Sequence, residues 1–328
     1  MSKKGTLVIS LDFELHWGRF DKYHPEQYIH YYRNTREVIP AILELFSKHG
    51  IHATWATVGM LMADNKEEWE AFSPSIKPDY AEPKFSAYHW AKDFRKVPNE
   101  ILFAPNLIKE ILSTPGQELG SHTYSHYYTG EKGSTEEAFL DDLKAAKRIA
   151  KGKFGIDLKS LVFPRNQYDE TILSIVEKAG FKTVRTNPSD WFWKNTAEET
   201  LIKKVFRTGD TLFSLGKQTC FDNPVVTENG LCCIPASRLL RPYRPGTFFN
   251  KLRVKRIKEE LSFAAAKGLT YHLWWHPHNF GHFPKENMKV LEEILLFTQG
   301  LKDQRGLQSK TMDEFITEFL PISKSINS

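Results

Sequence analysis

Cysteine is scarce in this chain, and charge of either sign hardly dominates. The 328 residues hold three cysteines, Cys220 and the adjacent pair Cys232 and Cys233. Neighbouring cysteines seldom pair, so a disulfide-stapled scaffold is excluded and a reducing compartment is expected. The formal net charge of +5 is mild, and no zinc-finger, RNP or helix-turn-helix pattern accompanies it, which argues against a nucleic-acid partner. Long apolar runs are missing as well. The opening MSKKGTLVISLDFEL has one very short apolar stretch broken by acids, and reads as neither signal peptide nor membrane span. A cytoplasmic protein is the expectation. There is no low-complexity tract and no internal repeat, and no linker long enough to separate two domains.

What remains is an ordinary globular composition, 41% hydrophobic and 26% charged. A chain of this length buries a large core unaided, so a bound metal is expected to serve chemistry rather than folding. The order of elements is regular. TLVISL (6–11) reads as a strand buried on both faces, 33–48 as a helix stopped by Gly50, and 51–59 as a second strand. That is a βαβ unit of a parallel sheet. The alternation resumes with a helix at 106–116, a strand at 117–122, a helix at 134–153, a strand at 158–164, a helix at 169–180 and a strand at 181–187. LFSLG and LCCIPAS, within 190–250, are strand-like. A helix at 251–267, a strand at 269–281 and helices at 285–299 and 311–319 complete the chain. Residues 64–105 break the rhythm and read as an insertion or long loop. The pattern predicts one α/β domain over 1–328, a distorted (β/α) barrel of about seven strands.

In such folds, chemistry gathers where parallel strands end. Four clusters fall there. SLDFELHWG puts Asp12 and Glu14 two residues apart, on one face of extended backbone. GSHTYSHYY spaces His122 and His126 by four. FPRNQY places Arg165 after a strand, and WWHPHNFG supplies His276 and His278. Each alone has an ordinary explanation: a solvated edge, a loop pair, a surface arginine, a packed ring. Together they make a coherent set. Two histidines and one carboxylate suit zinc or another divalent metal with open positions. The second carboxylate can take a proton from water, with an arginine to hold it and keep its pKa low. A further histidine can protonate a departing amine. This is equipment for amide hydrolysis.

The order Asp-x-Glu, His-xxx-His, Pro-Arg, Asp-Trp and a late histidine, over roughly residues 5–285, resembles the polysaccharide deacetylase family, the NodB-homology carbohydrate esterases. The resemblance implies a distorted (β/α) barrel and a metal site that removes acyl groups from sugars. By its motifs, Asp12 is the catalytic base, and Glu14, His122 and His126 are the metal ligands. Arg165 tethers the base, Asp190 orients the catalytic acid His276, and His278 is the alternative acid. Zinc is the implied metal, with cobalt or nickel as alternatives, and a backbone N–H such as that of Tyr124 is the expected oxyanion donor. Two departures stand out. Glutamate replaces aspartate as ligand, and the arginine lacks the usual Arg-x-Pro-x-Gly order. The scaffold leaves two rivals: hydrolysis of a cyclic amide or formyl group, and sugar binding without catalysis.

Residues 237–258, SRLLRPYRPGTFFNKLRVKRIK, carry eight Lys or Arg and no acid. A solvated loop and helix face is the plain reading. The functional one is recognition of an anionic substrate part by Arg238, Arg241 and Arg244. An amino sugar or oligosaccharide, carried on a nucleotide or lipid in surface-polysaccharide synthesis, would fit, with membrane association at most peripheral. Of the tryptophans, Trp17 and Trp191 stand beside motif residues and are the expected platforms for a sugar face.

Overall fold

The computed structural model describes residues 3–92, 97–188, 219–246, 248–317 and 319. Its strands are β1 (Thr6–Phe13), β2 (Ala53–Thr57), β3 (Gln117–Ser121), β4 (Ser160–Val162), β5 (Thr183–Thr186), β6 (Val225–Val226), β7 (Cys232–Pro235), β8 (Arg238–Leu239), β9 (Thr270–Trp275) and β10 (Gln308–Lys310). The helices are α1 (Ile29–His49), α2 (Lys66–Phe72), α3 (Ala87–Trp90), α4 (Pro105–Ser113), α5 (Glu136–Phe154), α6 (Glu170–Lys178), α7 (Phe249–Lys267), α8 (Pro284–Arg305) and α9 (Met312–Ile316).

The strands run in the order β6-β7-β5-β4-β3-β2-β1-β9-β8, with β10 added to β1, and every pair but β6–β7 is parallel. The chain itself links β7 to β8. Ala236 N–H donates to the Thr186 carbonyl on β5, and Ser237 N–H donates to the His272 carbonyl on β9. This two-residue link carries the backbone from β7, beside β5, to β8, beside β9, and the mostly parallel sheet curves into a half-barrel with helices outside. The short antiparallel β6 and the added β10 are decorations that the period of the sequence does not announce.

Alternation along β1 sorts the core. Leu7, Ile9, Leu11 and Phe13 face outward into the main cluster beneath the helices. Val8 faces inward and meets Ala56, Val162, Cys232 and Ile234 from three other strands, with Met312, Phe315 and Ile316 of α9 plugging that end. The Thr311–Glu314 capping box fixes the start of α9, satisfying two otherwise orphaned donors. The next inward positions on β1 are Ser10 and then Asp12, so the lumen changes from apolar to polar towards the carboxyl ends of the strands. That end holds the candidate site.

Residues 64–105 contain α2, α3 and short 3-10 turns. They carry Trp69, Tyr80, Tyr88 and Trp90, whose rings pack with Trp17, Phe20, Tyr127 and Tyr128. The stretch is a packed aromatic wall beside the site, although its sequence shows no periodicity.

Candidate metal centre and active site

Asp12, the penultimate residue of β1, is 2% exposed. Across the lumen, Arg185 of β5 grips it with two parallel bonds, Nη1 to Oδ1 at 2.6 Å and Nη2 to Oδ2 at 2.8 Å. Arg185 also donates to Ser10 Oγ and Asn166 Oδ1, both at 3.1 Å, and its guanidinium lies 4.2 Å from the Trp274 ring centroid. Below it, Ser10 Oγ lies 2.8 Å from His272 Nε2. Burial works to raise the Asp12 carboxyl, and Arg185, with His276 and His122, outweighs it and holds the group below its ordinary value.

Glu14 follows the strand and turns into a 3-10 helix, Leu15–Gly18. Its Oε2 lies 3.1 Å from His126 Nε2 and 3.3 Å from His122 Nε2. His122 continues the β3 ladder, its N–H bonded to the Thr57 carbonyl. Its Nδ1 sits 2.9 Å from the Val162 carbonyl. Since that carbonyl only accepts, Nδ1 carries the hydrogen and Nε2 presents its lone pair to the centre. His126 reaches the same point from a strained loop, with Thr123 at φ 63° and His126 at φ 55°, a region costly for a β-branched residue.

Asp142 of α5 fixes that loop. Its buried carboxylate accepts the N–H groups of Tyr124 and Ser125 and the Ser125 hydroxyl. Burial, opposed by these bonds, pushes the carboxyl up to about 7. The Tyr124 N–H is therefore committed to Asp142 and is not the spare donor expected for an oxyanion. Thr123 Oγ1 accepts from the Tyr127 N–H at 2.8 Å, which closes the loop from the other side.

Two more histidines complete the ring around Glu14. His276 Nε2 stands 3.6 Å from Asp12 Oδ2 and 3.7 Å from Glu14 Oε1, with a quarter of its side chain exposed. His278 Nδ1 lies 3.6 Å from Glu14 Oε1, but the ring is buried and burial brings it down to about 3. Burial of Glu14 favours the neutral acid. His276, His122 and His126 overcome it and hold the carboxyl well below the usual range.

Nitrogen and oxygen donors of Glu14, His122 and His126 all lie within 4.8 Å of one another. Glu14 Oε2 is buried with no hydrogen-bond partner. An ionised carboxylate oxygen facing the His122 lone pair, with the His126 ring crowded against it, is unfavourable unless a cation sits among them. The residues present fit a divalent metal, and two nitrogens with one oxygen fit zinc.

The family model described as Polysaccharide deacetylase matches residues 20–184. The chain belongs to the polysaccharide deacetylase family. The matched span includes His122 and His126 and stops one residue short of Arg185; Asp12, Glu14 and His276 lie outside it. Among solved structures, a protein from Mycobacterium smegmatis assigned to the polysaccharide deacetylases superposes with a TM-score of 0.61 at 12% identity, over 97% of this chain and 93% of that one. A GH57-type branching enzyme from Pyrococcus horikoshii gives a TM-score of 0.56 at 12% identity, over 97% and 71%. The α-amylase AmyC from Thermotoga maritima gives 0.56 at 11%, over 97% and 76%. At these identities the likeness is one of fold, the barrel that the family shares. None of the curated proteins matches the chain in sequence.

Several sequence expectations fall elsewhere. Arg165 does not touch Asp12. It pairs with Asp21, bonds Glu131 at 2.6 Å and stacks 3.9 Å from the Tyr128 ring centroid. The contact to Asp12 expected of it is made by Arg185, an arginine in the middle of a strand whose neighbours Val184 and Thr183 are buried. A cation in so buried a run is the signal that could have found it. Trp17 is no sugar platform: it is fully buried, and its Nε1 donates to the Leu102 carbonyl at 2.7 Å. Arg238 faces outward and is buried in a two-pronged pair with Glu260 of α7, so it is not placed for substrate. Asp190 and Trp191 lie outside the described residues. Arg241 follows β8, the strand beside β9. No described helix is long and apolar enough to cross a membrane.

Proposed function

We propose that this family member is a metal-dependent hydrolase that removes an N-acetyl group from an amino sugar. The observation that carries the reading is the Glu14–His122–His126 cluster beside an arginine-clamped Asp12 and a partly exposed His276. Glu14, His122 and His126 would hold the ion. Zinc suits the donor set, with cobalt or nickel as alternatives. When bound, it polarises an acyl carbonyl and acidifies water.

The chain's own groups do the rest. Arg185 fixes both oxygens of Asp12, leaving each a free lone pair with which to take a proton from the attacking water. The water oxygen forms a bond to the acyl carbon, and the carbon–nitrogen bond breaks. His276, reaching the same space and open to solvent, delivers a proton to the leaving nitrogen. Acetate and a free amine result. His278 is too buried to exchange protons with solvent as readily, so His276 takes the acid role. The substrate's place is among amino-sugar intermediates of surface-polysaccharide synthesis, consistent with a family that acts on sugars.

Asp12→Asn tests the assignment. It should abolish acetate release while metal content stays at the wild-type level. Loss of metal together with activity would make Asp12 a ligand and overturn its role as base.

A further inference from the structure

The deacetylase reading uses the groups around Asp12 and Glu14 and leaves a knot of arginines one strand away without a task. Arg238, Arg241, Arg244 and Arg253 gather where β8 ends and α7 begins, close enough for Arg241 to feel the other three and Arg253 to feel Arg244. Their situations differ. Arg238 is committed to Glu260, which Arg256 also approaches at 3.2 Å. Arg241 Nε, and Arg253 Nε and Nη1, are buried with no hydrogen-bond partner.

Among the described residues, the charges that bear on Arg241 are all guanidinium groups, and burial together with them pushes it down to about 10. Burial and Arg244 lower Arg253 too. A guanidinium stays protonated at neutral pH. The fold therefore carries two cations partly withdrawn from water, repelling each other, with N–H donors unused. An anion with several oxygens would accept those donors and neutralise that repulsion.

Their position gives the anion a role. The parallel register pairs Arg238 with Leu273 and Leu239 with Trp274, and Leu240 N–H continues the ladder to the Trp274 carbonyl. Arg241 thus leaves the sheet level with His276, at the carboxyl edge that holds Asp12. An anion there would lie beside the acyl-binding space.

We propose that Arg241 and Arg253 form a phosphate-binding subsite, and that the amino sugar deacetylated here bears a phosphate or diphosphate on its anomeric side. The proposal rests on the deacetylase reading for the sugar, and on the arginine pair alone for the anion. A nucleoside diphosphate and a lipid diphosphate offer the same oxygens.

The test uses the full chain and an Arg241→Gln/Arg253→Gln double variant, with Arg241→Lys/Arg253→Lys as a second variant that keeps charge but loses the planar fork. Inorganic pyrophosphate binding is measured by calorimetry at fixed salt. Acetate release is measured on a neutral acetamido sugar, on its nucleoside-diphosphate form and on its lipid-diphosphate form. Pyrophosphate should bind the wild type, and the glutamine variant should bind it at least about tenfold more weakly, with the lysine variant between. The advantage in kcat/KM of a diphosphate sugar over the neutral one should fall towards unity in the glutamine variant, and the better of the two carriers identifies the source. Equal pyrophosphate binding in wild type and variants, or equal turnover of neutral and diphosphate sugars by the wild type, would overturn the subsite. If no sugar releases acetate yet pyrophosphate binding is lost in the variant, the subsite stands and the deacetylase reading falls.

Discussion

Glu14 folds back over Gly18: a β-carbon on Gly18 would lie 1.9 Å from Glu14 Cδ and 2.1 Å from Oε1. The glutamate carries one methylene more than aspartate, and the bare glycine backbone four residues on gives its longer side chain room to turn towards His122 and His126. Leu15 at φ 43° makes the tight turn between them.

Gly18→Ala should therefore strike the metal centre. The methyl displaces the carboxylate, at about 1–3 kcal/mol of stability for overpacking, and metal affinity should fall by about 10–100-fold, as when a supporting contact to a ligand is lost. Metal titration of the apo-protein checks this. Unchanged affinity would mean that Glu14 is not a ligand.

Arg185→Lys keeps a cation beside Asp12 but cannot make the two-pronged grip. Turnover should drop by about a hundredfold through loss of orientation, with metal content retained. The same change at Arg165, which meets Asp21 and Glu131, should cost far less activity. Steady-state rates of the two variants, each with its metal content measured, decide between the arginines. If Arg165→Lys were the more damaging, the pairing described for Asp12 would not be the catalytic one.

Asp142 titrates near neutrality. Its folded-state value of about 7 lies above the ordinary carboxylate value of about 4, so the folded protein binds the proton more tightly. The associated stability is fully present below about pH 4 and is lost as pH rises through about 7, with a slope of at most about 1.4 kcal/mol per pH unit for one proton. Asp142→Asn should remove that slope and loosen the Tyr124–Ser125 loop. Denaturation of both proteins at pH 5 and pH 8 measures it: wild type should gain on the variant at pH 5. An equal difference at both values would show that Asp142 does not titrate in this window.

The legible part of this protein was local or periodic. The alternation of strands and helices gave the barrel, because a strand buried on both faces must be parallel and its helix must return it. Asp12, Glu14, His122, His126 and His276 could be picked out as candidates because they stand at strand ends, and the structure brings them together. Arg185 and Asp142 could not. Each acts across the barrel or from a helix, 173 residues from Asp12 in one case and 17 from Ser125 in the other, and nothing local marks a charged residue as inward-facing. Trp17 shows the converse. Its place beside the motif suggested a sugar platform, but the aromatic wall of residues 64–105, invisible as a pattern, buries it. Arg238 was misjudged for the same reason: its partner Glu260 is a helix away, and a run of like charge conceals which members are already paired.

The most direct test of the central claim is elemental analysis of protein purified without chelator or affinity tag, beside a His122→Ala/His126→Ala variant, with acetate release from an N-acetylated amino sugar followed on both. About one equivalent of zinc, cobalt or nickel is expected in the wild type, with metal and activity lost together in the variant. A wild-type protein that holds no metal and takes none up, or a variant that keeps both metal and turnover, would contradict it.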